Sequence, residues 1–462
     1  MITLSLAEVA MITGGRLRGP AEVQVTGITT DSRTVAPGDL FVAISGEHHD
    51  GHDHGRAAVE AGAGAVLAER ELDVPTVVVA DATEAVGRLA RAVLDRLPEL
   101  TVVAITGSSG KTSCKDMLAQ VLAGYGPTVA PAGSANNELG LPLTVLQADE
   151  SSRFLVLEMG ARGLGHIAYL CQIAPPDVAV VLNVGSAHVG QYRDQSEIAL
   201  AKSEIVAALS TGGTAVLNAD DPVTAAMAAT AADVGARVST FGESAAADTR
   251  ISNVTLDALA RPNFRLTSGG QQADLGLQFP GEHSAINAAA AAAAALAVGM
   301  PLDFVAAQLT VAEPRSRWRM EIARSPAGVT VVNDAYNANP ESMRAALKAL
   351  AAMDCAGTRW AVLGEMLELG DGSLDEHDRL GRLAVRLDIA RLLAVGEGAR
   401  PIHMGAAHEG SWGEESAWVP DVDSAIGLLA EQLRPGDVVL VKASRAGGLE
   451  RIAEAVLVGG DR

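Results

Sequence analysis

The chain has 462 residues, 48% of them apolar but only 3% aromatic, so several domains can each bury a core filled mainly by Ala, Val and Leu. Its 35 basic and 56 acidic residues give a net charge of −21, which argues against wrapping nucleic acid or coating an anionic membrane and leaves any anionic substrate dependent on local cations. Cys114, Cys171 and Cys355 are far apart with no CxxC pair, which fits a reducing compartment and not a disulfide framework.

The start, "MITLSLAEVAMITGG", has no basic leader and carries Glu8 inside its apolar pattern, so a soluble, cytoplasmic protein is expected rather than an exported one. Strand-like runs then alternate with helical patterns almost throughout, the signature of α/β layers. "DLFVAIS", "GAVLAER" and "TVVVAD" read as strands, a helix is expected over 83–97, and Pro98 closes a first domain at 1–98. A second domain, 99–312, opens with the run quoted below and continues through "RFLVLEMG", "DVAVVLNVG" and "GTAVLNADD". Residues 250–279 have the texture of antiparallel β. The uncharged run 284–302 reads as a buried helix, because alanine forms helices well but anchors poorly in lipid. "AEPRSRWRME", 312–321, looks like a linker, and a third domain, 313–462, restarts the alternation with "GVTVVNDA", "RWAVLGEM", "ARLLAVG" and "GDVVLVKAS".

The richest stretch is "LTVVAITGSSGKTSCKDML", residues 100–118. A strand leads into Thr106, Gly107, Ser108, Ser109, Gly110, Lys111, Thr112 and Ser113, and an apolar helical face follows. Glycines let a backbone approach phosphate, and a helix start offers free N–H groups and a positive dipole end. Lys111 would reach the outer phosphates and the Thr112 hydroxyl would hold Mg²⁺, on a loop expected to face solvent. A polar turn can imitate such a string; the strand before it and the helix after it favour a nucleotide site. The full phosphate-loop pattern has a glycine five positions before Gly110, where Ile105 stands.

The compact TGxxGKT form resembles that of the Mur ligase family, and further motifs similar to that family's follow along nearly the whole chain. The resemblance implies three α/β domains: a small UDP-sugar-binding domain, a central P-loop-type parallel-sheet ATPase domain and a C-terminal Rossmann-like domain. "TTDSRTVAPGDLFVAISG" implies Ser32 and Arg33 near a uridine diphosphate, although Asp-Ser-Arg alone would read as a polar turn. "NNELGLPLTVL" resembles a run lining the muramoyl-substrate cleft, implying Asn136 and Asn137 as substrate contacts. Glu158 of "EMGA" and His188 of "NVGSAHV" sit where the family binds metal, and Lys202 of "LAKSEIV" where its lysine carries a carbamate that also ligates metal. Without that context His188 would be an ordinary surface histidine and Lys202 a lysine reaching for water. "LNADDP", with Asn218 and Asp221, and "GEHSAINAAAA", with His283 and Asn287, resemble adenine-side motifs; only Asn287 is assigned to ATP, because Ser284 departs from the usual asparagine.

In the last domain Arg319 stands where the family has a Gly-Arg pair, and Trp318 in place of the glycine suggests a different local backbone. "VVNDAYNANPESM" resembles the D-alanyl-D-alanine-adding branch, with Ala335 for its usual serine, and the resemblance implies Asp334 on ATP and Tyr336, Asn337 and Asn339 on substrate. "GEMLELG" with His377, and "VKASR" with Lys442, Ser444 and Arg445, complete the pattern. The activity implied is ATP-dependent ligation of D-alanyl-D-alanine to UDP-N-acetylmuramoyl-tripeptide through an acyl phosphate. Its partners would be small molecules alone, its metal Mg²⁺, its catalytic residues Lys111, Glu158, His188 and Lys202, and its state a monomer. A family sibling adding diaminopimelate or lysine is the nearest rival, but its Asp-Asn-Pro-Arg-like motif does not occur. A nucleotide switch without ligase activity would not need Glu158, His188 and Lys202 together.

Overall fold

The computed structural model describes residues 1–46, 49–185, 192, 194–410, 413 and 415–459. Three large sheets divide it. The first has five strands, ordered Arg16–Arg18, Thr76–Val78, Ala65–Ala68, Asp39–Val42 and Gly27–Thr29, parallel except at the Arg16–Arg18 edge. The second has nine strands between Thr101 and Gly276, and the third has six between Glu321 and Lys442. Among the described residues no helix is long and apolar enough to cross a membrane.

In the nine-stranded sheet seven strands run parallel, and Pro262–Ser268 and Gln271–Gly276 add an antiparallel hairpin at one edge. The strand Thr101–Thr106 lies inside it, between Phe154–Glu158 and Val178–Val181. All three are apolar along their length because helices cover both faces, as parallel sheets require. Register brings Glu158 opposite Ile105 and Val181 opposite Thr106, so three strands end level. The chain leaves Thr106 toward one edge and later crosses to the other side. That reversal opens a crevice at the strands' carboxyl ends, where α/β sheets bind ligands.

The expected helix over 83–97 is Ala82–Leu94, capped by the Asp81 carboxylate accepting from the Glu84 N–H. It packs against the central domain so closely that a Cβ on Gly87 would lie 3.1 Å from Ile173 Cδ1. One continuous apolar cluster therefore runs through both units, from Leu4 and Leu89 to Leu141, Ile173 and Ile205. The alanine run is shorter than expected. Its helix is His283–Ala297, and the chain then turns through Gly299 (φ +90°) and Pro301 into Leu302–Val311. Ala288 to Ala295 are all buried against the central sheet and the helix Lys111–Ala123, where small side chains permit a close approach.

In the third sheet Thr330–Asn333, Val438–Lys442, Arg359–Leu363, Arg391–Val395 and Ser416–Val419 are parallel neighbours, with Glu321–Arg324 antiparallel at the edge. Its carboxyl ends face the central crevice. Trp318 has φ +59°, the left-handed region in which glycine is at ease, and Met320 has φ +51°. Arg317 and Arg445 guanidinium groups stack on the Trp318 ring, at 5.1 and 4.2 Å.

Candidate active site

The phosphate loop is held from behind. Gly110 has φ +83°, and a Cβ there would collide with the Asn287 amide, which places Asn287 beneath the loop and outside the cleft lining. The Asn183 Oδ1 accepts from the Ser108 and Ser109 N–H groups, both at 3.0 Å, while Asn183 Nδ2 donates to Ser109 O. The Lys111 ammonium donates to Gly107 O at 2.7 Å, closing the loop on itself. Ser108 and Thr112 are buried, so the loop forms the floor of a cleft and does not face open solvent. Burial, reinforced by the Arg319 charge, holds Lys111 below the usual lysine range against the pull of Glu158.

Beside the loop, Glu158 is 1% exposed and fully engaged. Thr112 Oγ1 donates to its Oε2 at 2.9 Å; Ser134 Oγ and Asn136 Nδ2 each donate to its Oε1 at 2.7 Å. Lys202, on the helix Gln195–Ala207, is 6% exposed and lines the same cleft. It does not snorkel. Burial, with the Lys111 charge second, pushes it down to about 7. His188 lies outside the described residues. Buried oxygen donors at Glu158 and Thr112 suit a hard cation such as Mg²⁺, and a buried lysine able to lose its proton does not oppose one.

The cleft, about 850 Å³, is closed by residues of the last domain. Tyr336, Asn337 and Asn339 line it, and Asn339 Nδ2 donates across it to Ser108 O at 3.3 Å. Arg319 lies over the Tyr336 ring at 4.2 Å, and its buried Nε has no partner among the described residues, as a donor kept for an anion would be. Ser444 and Arg445 also line the cleft; Arg445 pairs with Glu450 at 2.5 Å. Asp334 and Lys442 do not reach it. They form a buried pair, Lys442 Nζ donating to Asp334 Oδ2 at 2.7 Å and to Asn337 O at 2.8 Å, while Asp334 Oδ1 accepts from the Met320 N–H. Ser32 and Arg33 also lie outside the lining, and the exposed Arg33 is paired with Asp31 at 2.7 Å.

Several residues that line the cleft have no role assigned from the sequence, some outside the marked strings and some, as Glu138 of "NNELGLPLTVL" and Leu367 and Glu368 of "GEMLELG", inside them. Asp81, Thr83 and Glu84 come from the first domain, Glu138, Arg162, His166 and Tyr169 from the central one, and Leu367 and Glu368 from the last. Ser134 only adjoins the Asn136–Asn137 string, whereas Asn183 opens the "NVGSAHV" string that holds His188, without a role assigned to it there. His377 acts at a distance from the cleft: its Nε2 accepts from the Met366 N–H at 2.9 Å and its Nδ1 donates to Ser373 O at 2.7 Å, fixing the loop that carries Leu367 and Glu368.

Three domain matches cover most of the chain: "Mur ligase family, catalytic domain" over 24–102, "Mur ligase middle domain" over 105–295 and "Mur ligase, glutamate ligase domain" over 318–445. The chain belongs to the Mur ligase family. Within it, the sequence is 47% identical to the UDP-N-acetylmuramoyl-tripeptide–D-alanyl-D-alanine ligase of Mycobacterium tuberculosis, across 99% of this chain and 98% of that one. The fold is similar to MurF from Acinetobacter baumannii, with TM-score 0.87 and 31% identity over 98% and 99% of the two chains. It is also similar to MurF ligase from Thermotoga maritima in complex with ADP, with TM-score 0.78 and 30% identity over 94% and 97%.

Proposed function

We propose that the protein joins D-alanyl-D-alanine to UDP-N-acetylmuramoyl-tripeptide at the expense of ATP, forming the UDP-MurNAc-pentapeptide precursor of peptidoglycan. The observation that carries this reading is one cleft in which a phosphate loop, the buried Glu158–Thr112 pair and the Tyr336–Asn339 loop meet. The reaction is the one named for the Mycobacterium tuberculosis relative, and nucleotide binding is supported by the ADP complex of the Thermotoga maritima neighbour.

A carboxylate is a poor electrophile. Its oxygen therefore attacks the γ-phosphorus of ATP, the bond to the bridging oxygen breaks and ADP leaves. The dipeptide amine then attacks the acyl carbon, phosphate leaves with the C–O bonding pair, and the amine gives up a proton. Lys111 exchanges Gly107 O for phosphate oxygens, and Arg319 presents its unpartnered Nε to the same charge. Thr112, Glu158, His188 and a carbamylated Lys202 would hold Mg²⁺, which when bound neutralises charge on the phosphates. Asn136, Asn137, Tyr336, Asn337, Asn339, Ser444 and Arg445 orient the two peptides. Asp334 and Lys442 support them by fixing the Asn337 carbonyl and the Met320 amide, and Ser32 and Arg33 serve the uridine diphosphate end.

We place the domain limits near 98 and 312, because among the described residues no sheet crosses either position. We further propose that the protein works as a monomer in the cytoplasm. Phosphate release from ATP, measured with UDP-MurNAc-tripeptide, should require D-alanyl-D-alanine. Release that is indifferent to the dipeptide would overturn the reading.

A further inference from the structure

The helix Lys111–Ala123, which begins at the phosphate loop, has a second buried face that does not line the cleft. Lys115 and Asp116 on it are 2% and 5% exposed. The Lys115 Nζ donates to Asp116 Oδ1 at 2.5 Å, to Pro131 O at 2.9 Å and to Ser316 Oγ at 3.2 Å, which uses all three ammonium donors. Asp116 Oδ2 accepts from the Arg315 and Ser316 N–H groups, at 3.3 and 2.9 Å, and its Oδ1 accepts from the Ser316 hydroxyl at 3.1 Å. One turn further along, Gln120 Nε2 donates to Glu313 O at 2.8 Å and Gln120 Oε1 accepts from the Glu313 N–H at 3.2 Å.

The segment held in this way is the beginning of the connection to the last domain. Immediately beyond it come Trp318 and Met320, both in the left-handed region, and the strand starting at Glu321. Arg319, between them, lines the cleft. Residues 313–316 are thus fixed to the phosphate-loop helix, and the short connection 317–320, whose Trp318 O and Met320 N–H are bonded to Tyr336 and Asp334 of the last domain, is left as the pivot. A buried ion pair is a poor way to add stability, since apolar residues of the same volume often do as well, but it fixes geometry through directed bonds.

We infer that Lys115 and Asp116 are positioning residues. Acting through Ser316 and the 315–316 backbone, they tie the pivot of the last domain to the phosphate-loop helix and so set where Arg319, Tyr336 and Asn339 stand over the loop. This rests on the ligase reading, because a two-domain reaction centre is what makes their relative placement matter.

Two variants test it. Asp116→Asn removes the charge partner of Lys115 while keeping its shape. The pair Lys115→Met with Asp116→Leu removes both charges together and leaves no buried ion unpaired. In variants that still melt cooperatively, kcat for ligation should fall by about tenfold or more, the scale on which a small misplacement acts. The Kd for β,γ-methylene-ATP alone should stay within about twofold of the unmodified protein, since the phosphate loop itself is untouched. Gln120→Ala combined with Ser316→Ala removes the clamp's other side-chain bonds while keeping both charges of the buried pair; should both core variants fail to fold, it must give the same split between kcat and analogue affinity. Unchanged kcat in a folded variant, or an equal loss of analogue affinity, overturns the inference. Absence of turnover in the unmodified protein would instead remove the ligase reading, and small-angle scattering with the analogue and UDP-tripeptide would still report whether the variants alter the domain arrangement.

Discussion

Lys111 and Lys202 show how one site makes opposite demands on two cations. In the proposed reaction Lys111 keeps its charge to meet phosphate, whereas Lys202 would have to lose its proton in order to carry a carbamate. Lys111→Ala should cut ligation by roughly a hundredfold or more, the scale seen when an electrostatic stabiliser is removed. The same change deletes the bond to Gly107 O, so some loss of thermal stability should accompany it. For Lys202, a folded-state value near 7 lies below the ordinary lysine value, so the neutral amine gains as pH rises through 7. Carbamylation followed with ¹³C-bicarbonate NMR should therefore increase from pH 6 to 8 and vanish in Lys202→Ala. Short carboxylic acids added in solution should partly restore that variant's activity. A carbamate signal that survives the substitution would exclude Lys202 as its source.

At the scale of single elements, the phosphate loop depends on what lies behind it. Gly110→Ala meets both a left-handed φ and the Asn287 amide, so nucleotide affinity should fall; titration with ADP would measure it. His377→Ala strands the Met366 N–H in a buried setting, at a cost of about 1–3 kcal/mol. Calorimetry should show a lower Tm together with a weaker hold on the Leu367–Glu368 loop. Elements with both faces buried were easily read: Thr101–Thr106, Phe154–Glu158 and Val178–Val181 are continuous apolar runs. Arg237–Gly242 was not. It lies between two parallel neighbours, yet Arg237 and Val238 are exposed and Ser239 and Thr240 are polar, so periodicity gave it no signature.

For the whole molecule, the decisive comparison is between acceptors. The purified protein should join D-alanyl-D-alanine to the UDP-tripeptide, and it should not add diaminopimelate or lysine to the UDP-dipeptide; chromatography of the two product mixtures checks both. The opposite preference would overturn the branch assignment and spare the ATP chemistry. The apolar cluster shared by the first two units also predicts that they move as one body, with the last domain pivoting at 317–320. Proteolysis in the absence of nucleotide should cut first in that short stretch, and cleavage first near Pro98 would contradict it.

Local sequence pattern suffices for the α/β class, the order of three units, the phosphate loop and the neighbours Glu158, Asn136 and Lys202. Each of these is announced by a local pattern of glycine, charge or apolar run. Which marked residues share a cleft depends instead on long-range packing. Asn287, Asp334 and Lys442 belong to equally distinct strings, but long-range packing turns them beneath the phosphate loop or into a buried pair. It also decided that Asp81, Glu138 and Leu367 line the cleft, that Asn183 grips the loop and that Lys115 and Asp116 reach residue 316. Those contacts join positions tens to hundreds of residues apart, and a local reading of one chain has no term for such distances.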